Sequence, residues 1–185
     1  MYSIIIPIYN EESNIPSLLK GLKEYKKNGH EILIINDGSS DRSRELLSNS
    51  KDIKIINFSK NRGKGSAVKK GLMQSSHEKI ILFDGDNELD AKQIKNLMIL
   101  NKKLGIRCVF ANRSNNFRFK SIFWYLGNKF FTYLFNFINK SRVRDALCCA
   151  KAFYRQDLFI EKLKASKFDI DVEIARNLVM NNKKI

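Results

Sequence analysis

The stretch that decides the fold runs from residue 31 to residue 41 and reads EILIINDGSSD. Its apolar centre is short and rich in β-branched residues, which predicts a buried strand. The Asn, Asp, Gly and Ser residues that follow at once predict a turn, and Asp41 is a favourable N-cap for a helix after it. A buried strand that runs into a polar turn and then a helix is typical of a parallel sheet in an α/β protein.

The same pattern recurs on both sides of this stretch. Further buried strands are predicted at residues 3–8, 53–58 and 80–83. Between the first two strands, Ile15, Leu18, Leu19 and Leu22 recur at helical spacing. Polar clusters at Asn10, Asp37 and Asp84 directly follow strands. Because ligands of such sheets bind beyond the carboxyl ends of the strands, we expect these three clusters to converge on one edge.

The second half of the chain is expected to complete the same unit. Short strands are predicted near residues 109–111 and 150–154, and helices at 117–138 and 172–180. With 185 residues and 43% hydrophobic content, the chain is long and apolar enough for one domain with its own core. The predicted fold is therefore a single α/β domain over residues 1–185, with a mostly parallel central sheet flanked by helices.

The cysteine content and the lengths of the apolar runs also indicate the cellular compartment of the chain. The three cysteines, Cys108, Cys148 and Cys149, form neither a disulfide framework nor a paired Cys-x-x-Cys zinc pattern, so we expect reduced, inert thiols. The apolar run at the start is too short for a signal peptide, and no stretch reaches the roughly 20 apolar residues of a membrane span. We expect the chain in the cytoplasm or at the cytoplasmic face of a membrane.

The net charge of +15 is unevenly distributed. No acidic residue occurs between Asp90 and Asp145, while that interval is rich in Lys and Arg. Such a surface predicts partners that carry phosphate, namely nucleotides, anionic lipids or nucleic acid. The alternative is a solvated lysine-rich surface without a partner.

Asp84-Gly85-Asp86 is the most informative short motif. Two carboxylates two residues apart at a strand end can face one hard cation such as Mg²⁺ or Mn²⁺, which also takes phosphate oxygens as ligands. The cation would neutralise a diphosphate leaving group. The alternative for an isolated Asp-Gly-Asp is a simple turn.

Residues 61–65, NRGKG, form the second candidate site. Glycines allow backbone N–H groups to approach an anion, and the N-terminus of a following helix adds its positive end. The spacing is not that of a Walker P-loop. The alternative is a flexible basic loop.

Taken in order, these segments resemble family 2 glycosyltransferases, and within that family the polyprenyl-phosphate (dolichol-type) sugar transferases. The matching segments are residues 6–12 (IPIYNEE), 34–41 (IINDGSSD), 61–71, 84–86 (DGD), 111–113 (ANR), 145–155 and 168–173 (FDIDVE). The chain departs from the family pattern at Asn36, where aspartate is usual, at Leu147, where a polar residue is usual, and at Cys149, where glycine is usual.

The resemblance implies a GT-A (Rossmann-like) fold and transfer of a sugar, with inversion, from a UDP- or GDP-sugar to a polyprenyl phosphate. It implies a nucleotide-sugar-binding half at residues 1–90 and an acceptor-binding half at 91–185. The implied nucleotide-sugar-binding residues are Pro7, Tyr9, Asn10, Glu11, Asn36, Asp37, Lys64, Asp84, Gly85 and Arg113. The implied ligands of the divalent metal are Asp84, Asp86 and Glu88.

The acceptor decides whether a base is needed. A lipid phosphate is already a nucleophile, whereas a saccharide hydroxyl, as in polysaccharide synthesis, must lose a proton to a carboxylate. Asp171 and Glu173 are the candidate catalytic bases. The alternative is that both simply stabilise a helix N-terminus.

An amphipathic aromatic segment occupies residues 117–138. Ten of the chain's twenty aromatic residues lie between Phe117 and Phe137, with cations among them. The residues predicted to share one helical face are Phe119, Ile122, Phe123, Leu126, Phe130, Tyr133, Leu134 and Phe137, and Trp124, Phe131 and Phe135 widen that face. This composition favours peripheral contact with an anionic membrane. The alternative is packing against the sheet or a second copy.

Two other classes of function are weighed. A nucleic-acid-binding module explains the positive charge and the aromatic residues, but acidic clusters after three strands repel phosphate, so no nucleic-acid partner is expected. A nucleotidyltransferase also uses paired carboxylates, but it is less compatible with the segments at 10–12 and 36–39. It would release pyrophosphate rather than a nucleoside diphosphate.

Overall fold

The computed structural model describes residues 1–48, 50, 52–112 and 122–182, and of residues 122–124 and 182 only the backbone. Its centre is a six-stranded sheet in the order β3-β2-β1-β4-β6-β5. The strands are β1 (Tyr2–Ile8), β2 (Glu31–Asn36), β3 (Lys54–Asn57), β4 (Lys79–Leu82), β5 (Cys108–Phe110) and β6 (Lys151–Tyr154). The helices are α1 (Ile15–Lys27), α2 (Ser43–Ser48), α3 (Lys64–Gln74), α4 (Ile122–Asn139) and α5 (Ile170–Asn182).

The first four strands form the parallel part of the sheet. β1 pairs in parallel with β2 and with β4, and β2 pairs in parallel with β3. β6 is antiparallel to both of its neighbours, β4 and β5. The predicted α/β domain with a mostly parallel sheet is therefore confirmed, while the antiparallel insertion of β6 was not predicted.

Both faces of the sheet are buried, which explains the continuous apolar strands. Ile32 and Ile34 of β2 face the core beneath α1 and α2, whereas Leu33 and Ile35 face the core beneath α3 and α5. A 3₁₀ helix at Ala91–Leu97, absent from the sequence-based prediction, closes the first of these cores with Ile94.

Helix α4 packs on α5 through a small third cluster. Phe135, which is 7% exposed, contacts this cluster together with Ala146, Ala175 and Val179. The inclusion of Phe135 in the outward aromatic face was therefore wrong, because it lies on the opposite side of the helix from Phe130 and Phe137. Residues 117–121 of the predicted segment lie outside the described residues. Among the described helices, none combines the length and hydropathy needed to cross a membrane.

Candidate active site

A cleft of about 520 Å³ opens at the carboxyl edge of β1, β2 and β4. Its walls are formed by Pro7, Ile8, Tyr9, Glu11, Asp37, Asn61, Arg62, Gly63, Lys64, Asp84, Gly85, Asp86, Lys167 and Phe168. The predicted convergence of the polar clusters after three strands is thus found, with the Asn10 cluster represented by its neighbours Tyr9 and Glu11. Seven of the ten predicted nucleotide-sugar-binding residues line this one cleft, together with Asp86.

Asp37 fixes the basic loop that follows β3. Its carboxylate accepts hydrogen bonds from the backbone N–H of Arg62 and of Gly63, each at 2.8 Å. Asp37 is only 2% exposed, so these bonds lie in a shielded environment. The guanidinium of Arg62 lies 5.1 Å from the centre of the Phe58 ring, which holds a cation at this side of the cleft.

The glycines of the loop serve close packing against a distant segment. A Cβ on Gly63 would lie 2.4 Å from the carbonyl oxygen of Ser166, and one on Gly65 would lie 2.6 Å from that of Ala165. Gly63 also has a φ of +88°, which other residues rarely adopt. The backbone of the 165–166 segment therefore covers the start of α3, where the sequence predicted an anion.

Lys64 forms the central ion pair of the site. Its ammonium lies 2.8 Å from Asp84 Oδ1, 2.9 Å from Asp84 Oδ2 and 2.8 Å from Asp171 Oδ2. Burial would lower the pKa of Lys64, but the negative charges of Asp84 and Asp171 and the hydrogen bond to Asp171 raise this pKa above its ordinary value. Lys64 is therefore a permanent cation, and it also lies 5.6 Å from the ring centre of Phe168.

Asp171 is the buried end of this arrangement. The side chain of Asp171 is 7% exposed, and its second oxygen, Oδ1, is buried without a hydrogen-bond partner in the described part of the chain. Cys149 lies close enough to Lys64, Asp84 and Asp171 for electrostatic interaction, and burial raises its pKa well above the ordinary value, so this thiol stays neutral. A buried carboxylate oxygen without a partner costs free energy, which is typical of a functional position.

The predicted three-carboxylate metal group is not assembled as expected. Asp84, Asp86 and Glu88 line one small cavity, yet no three His, Cys, Asp or Glu side chains in the described ranges are arranged to hold a metal ion. The physical reason is that Asp84 faces the Lys64 ammonium, while Asp86 Oδ1 accepts a hydrogen bond from the Glu88 N–H at 2.9 Å.

The pair Asp84 and Asp86 nevertheless suits a hard cation with few protein ligands. The pKa of Asp86 is raised, first by partial desolvation within the cleft and then by the negative charge of Asp84, Glu88 and Glu11. This excess of negative charge at a solvent-accessible carboxylate is what a divalent ion would neutralise. The remaining coordination positions would fall to phosphate and water oxygens.

Two predicted nucleotide-sugar-binding residues, Asn10 and Asn36, have structural partners instead of lining the cleft. Asn10 accepts a hydrogen bond from the Ser40 N–H at 2.9 Å and so joins the first two loops. Asn36 is 1% exposed, and its amide donates to Asn57 Oδ1 across β2 and β3 at 2.9 Å. The structure thus gives both asparagines a role in positioning the loops.

Glu173 is also turned away from the cleft. Its carboxylate accepts hydrogen bonds from the backbone N–H of Lys164, at 3.0 and 3.1 Å, and of Ala165, at 2.9 Å. It thereby holds the 164–166 segment against the start of α3. These hydrogen bonds give Glu173 a structural role, and the assignment of Glu173 and Asp171 as catalytic bases stays a prediction. Arg113 lies outside the described residues.

Two cleft residues were not predicted. Lys167 and Phe168 reach the cleft because the segment before α5 folds over the glycine loop. Phe168 is 78% exposed, an unusual position for a large aromatic side chain beside a polar cleft. Phe168 opens the matching segment at residues 168–173, but no local pattern indicates that Lys167 and Phe168 reach the cleft, because that contact joins parts of the chain about a hundred residues apart.

Comparison with known proteins gives the class that this fold and cleft define. The chain belongs to glycosyl transferase family 2, whose model matches residues 3–161. It is 34% identical over 125 residues to a dolichyl-phosphate beta-glucosyltransferase of Dictyostelium discoideum, covering 57% of this chain and 38% of that protein. It is 30% identical over 161 residues to an undecaprenyl-phosphate 4-deoxy-4-formamido-L-arabinose transferase of Pectobacterium atrosepticum, covering 83% of this chain and 48% of that protein.

A solved structure confirms the GT-A fold. Glucosyl-3-phosphoglycerate synthase from Mycobacterium tuberculosis, crystallised with Mn²⁺, UDP and phosphoglyceric acid, matches with a TM-score of 0.72 at 17% identity. The match covers 94% of this chain and 62% of the mycobacterial chain. The present chain spans less than half of the length of the two curated relatives described above.

Proposed function

We propose that this chain transfers a sugar from a nucleotide-diphosphate-sugar donor to a polyprenyl phosphate, with inversion at the anomeric carbon and with a divalent cation. The observation that carries the proposal is the single cleft in which Asp37, Lys64, Asp84 and Asp86 meet beyond the carboxyl ends of the parallel strands. The dolichyl- and undecaprenyl-phosphate transferases among the relatives support the acceptor.

The donor would lie along the cleft from Asp37 to Asp86. Pro7, Tyr9, Glu11 and Asp37 would contact the nucleoside. Asp84 and Asp86 would hold Mg²⁺ or Mn²⁺, which supplies charge neutralisation for the diphosphate when bound. The Mn²⁺ and UDP in the mycobacterial structure make such a cation a reasonable expectation.

Lys64 gives this chain a cation of its own beside the metal motif. In the absence of donor, the ammonium neutralises Asp84 and Asp171 at 2.8 Å. Because the Lys64 ammonium contacts both oxygens of Asp84, we expect it to turn toward the donor phosphates when Asp84 takes up a divalent ion. Arg62 and Arg113 would add to the phosphate site.

The reaction needs no protein base when the acceptor is a lipid phosphate. An anionic phosphate oxygen of the lipid attacks the anomeric carbon while the bond from that carbon to the diphosphate oxygen breaks. The electron pair of that bond leaves with the nucleoside diphosphate, and no proton has to move. Lys64 stabilises the charge that develops on the leaving group.

Transfer to a saccharide hydroxyl is the second candidate, and Asp171 favours it. A hydroxyl acceptor must lose its proton, and Asp171 Oδ1 is a buried oxygen without a described partner next to Lys64. The poly-beta-1,6-N-acetyl-D-glucosamine synthase of Staphylococcus epidermidis, 34% identical over 91 residues, covering 48% of this chain and 22% of that protein, supports the same alternative. An Asp171→Asn variant separates the two, since it retains turnover with a lipid phosphate and loses it with a hydroxyl acceptor.

Calorimetric titration with UDP and with GDP tests the donor site. Each nucleotide is titrated with and without Mn²⁺ into the wild-type chain and into Asp86→Ala. The proposal expects metal-dependent binding of one nucleotide that the variant loses. Failure of both nucleotides to bind would contradict it.

The lipid acceptor further leads us to propose that the chain works at the cytoplasmic face of a membrane.

A further inference from the structure

The outward face of α4 is the largest concentration of exposed apolar side chains in the described part of the chain. Six of the fourteen large hydrophobic residues that are exposed among the described residues belong to this helix. They are Leu126 (57% exposed), Phe130 (58%), Phe131 (59%), Tyr133 (66%), Phe137 (74%) and Ile138 (72%). Scattered exposed apolar residues are ordinary, but a contiguous group marks an interaction surface.

The orientation of this face is fixed by the packing of α4. Thr132, Phe135 and Asn139 are buried, and Phe135 packs against α5. Leu126 and Phe137 lie eleven residues apart on the opposite side, so the outward stripe is about 17 Å long at the rise of an α-helix. The stripe therefore faces away from the domain core along most of the helix.

Positive charge borders the stripe without any acidic residue in the surrounding sequence. Lys129, Lys140, Arg142 and Arg144 are exposed beside it or directly after α4. Residues 91–144 contain no Asp or Glu. An apolar face rimmed by cations complements the headgroup region of an anionic bilayer.

We propose that α4 docks the domain onto an anionic membrane, with Leu126, Phe130, Tyr133 and Phe137 entering the interface and the rim cations contacting lipid phosphate. A second copy of the chain fits less well, because a two-fold contact would bring two identical cationic rims together. The docking surface is separate from the donor cleft and does not depend on the proposed reaction.

Vesicle co-sedimentation of the whole chain tests the surface. We expect binding to vesicles of phosphatidylcholine with phosphatidylglycerol, weak binding to phosphatidylcholine alone, and loss of binding as salt rises. Absence of binding to anionic vesicles at low salt would overturn the proposal.

Paired variants assign the binding to α4. Phe130→Ser with Phe137→Ser should reduce the vesicle partition coefficient by roughly a hundredfold, from the transfer of two aromatic side chains. The matched control is Leu104→Ser with Phe159→Ser, which removes two apolar residues that are exposed elsewhere and should leave binding unchanged. Equal loss in both pairs would contradict the assignment.

The cationic rim is tested in the same way. Lys140→Gln with Arg142→Gln should reduce binding about 25-fold, since each cation near an anionic surface contributes roughly a fivefold change. Lys26→Gln with Lys27→Gln, at the end of α1, removes the same charge and should have a small effect.

Nucleotide binding and near-ultraviolet circular dichroism report whether each variant is folded. Sedimentation velocity completes the test by measuring the state of the free chain. A stable dimer that Phe130→Ser with Phe137→Ser dissociates would show that the face binds a second copy and would overturn the membrane proposal.

Discussion

Replacement of Lys64 by methionine removes the cation that joins the two halves of the site. Lys64 Nζ lies 2.8 Å from Asp84 and from Asp171, and the exposed side-chain fractions are 12%, 27% and 7% for the three residues. Removing one partner of a buried pair costs about 3–5 kcal/mol, because the remaining charge is left uncompensated. Since Asp84 is partly hydrated, we expect the free energy of unfolding to fall by about 3 kcal/mol, the low end of that range. A fall of this size lowers Tm by roughly 6–12 °C for a chain of this length.

The pH dependence of this loss follows from the raised pKa of Lys64. In the wild type, the raised pKa of Lys64 means that its stabilisation is fully present below the unfolded lysine pKa and is lost only as pH rises through the higher folded value. Both pH 5 and pH 7 lie below the unfolded lysine pKa, so Lys64 is charged in the folded and in the unfolded chain at either pH. The stability deficit of Lys64→Met should therefore be similar at pH 5 and at pH 7.

Thermal unfolding followed by circular dichroism, in EDTA at both pH values, measures the effect. Lys70→Met is the matched control, because it removes the same charge from the same helix without breaking a described ion pair. Added Mn²⁺ should raise the Tm of Lys64→Met more than that of the wild type, since Asp84 becomes available to the ion. If Lys64→Met and Lys70→Met unfold alike at pH 7, the ammonium does not hold the site together.

Four further variants have defined outcomes. Asp86→Asn should raise Tm at pH 7 in EDTA, because the raised pKa of Asp86 means that its ionisation opposes folding, yet it should abolish Mn²⁺-dependent nucleotide binding in calorimetry. Glu173→Ala should lower the free energy of unfolding, measured in urea, by about 2 kcal/mol, because the backbone N–H groups of Lys164 and Ala165 lose their acceptor. A loss of turnover with unchanged stability would refute the structural role of Glu173. Gly63→Ala should lower the free energy of unfolding by about 2 kcal/mol, because Gly63 has a positive φ and its added Cβ would meet the Ser166 carbonyl. Gly127→Ala should instead raise the free energy of unfolding by about 0.5–1 kcal/mol, because Gly127 lies within α4 and its added Cβ would meet no atom within 4 Å.

The sheet and its cleft were predictable because their determinants are local. Apolar runs such as residues 32–35 specify strands that are buried on both faces, and the topology of parallel strands brings whatever follows them to one edge. Asp37 and Asp84 therefore meet in the cleft as expected.

The contacts across the second half were not predictable, because they join distant parts of the chain. Lys64 and Asp171 are 107 positions apart, and no local pattern indicates that they form an ion pair. From the sequence alone, Gly63 and Gly65 are equally compatible with an anion-binding loop and with close packing. Only the position of residues 165–166 shows that they allow close packing. Likewise, helical spacing defined an aromatic face on α4, but the contact of Phe135 with α5 decides which residues point outward.

A transfer assay with a short-chain polyprenyl phosphate tests the central claim most directly. UDP- and GDP-sugars are supplied with Mn²⁺, and the lipid product, its anomeric configuration and the released nucleotide are measured together. We predict a sugar-phosphate lipid of inverted configuration and one nucleoside diphosphate per sugar transferred, both lost in Asp86→Ala. Release of pyrophosphate, or transfer to a saccharide hydroxyl with no lipid product, would contradict the account.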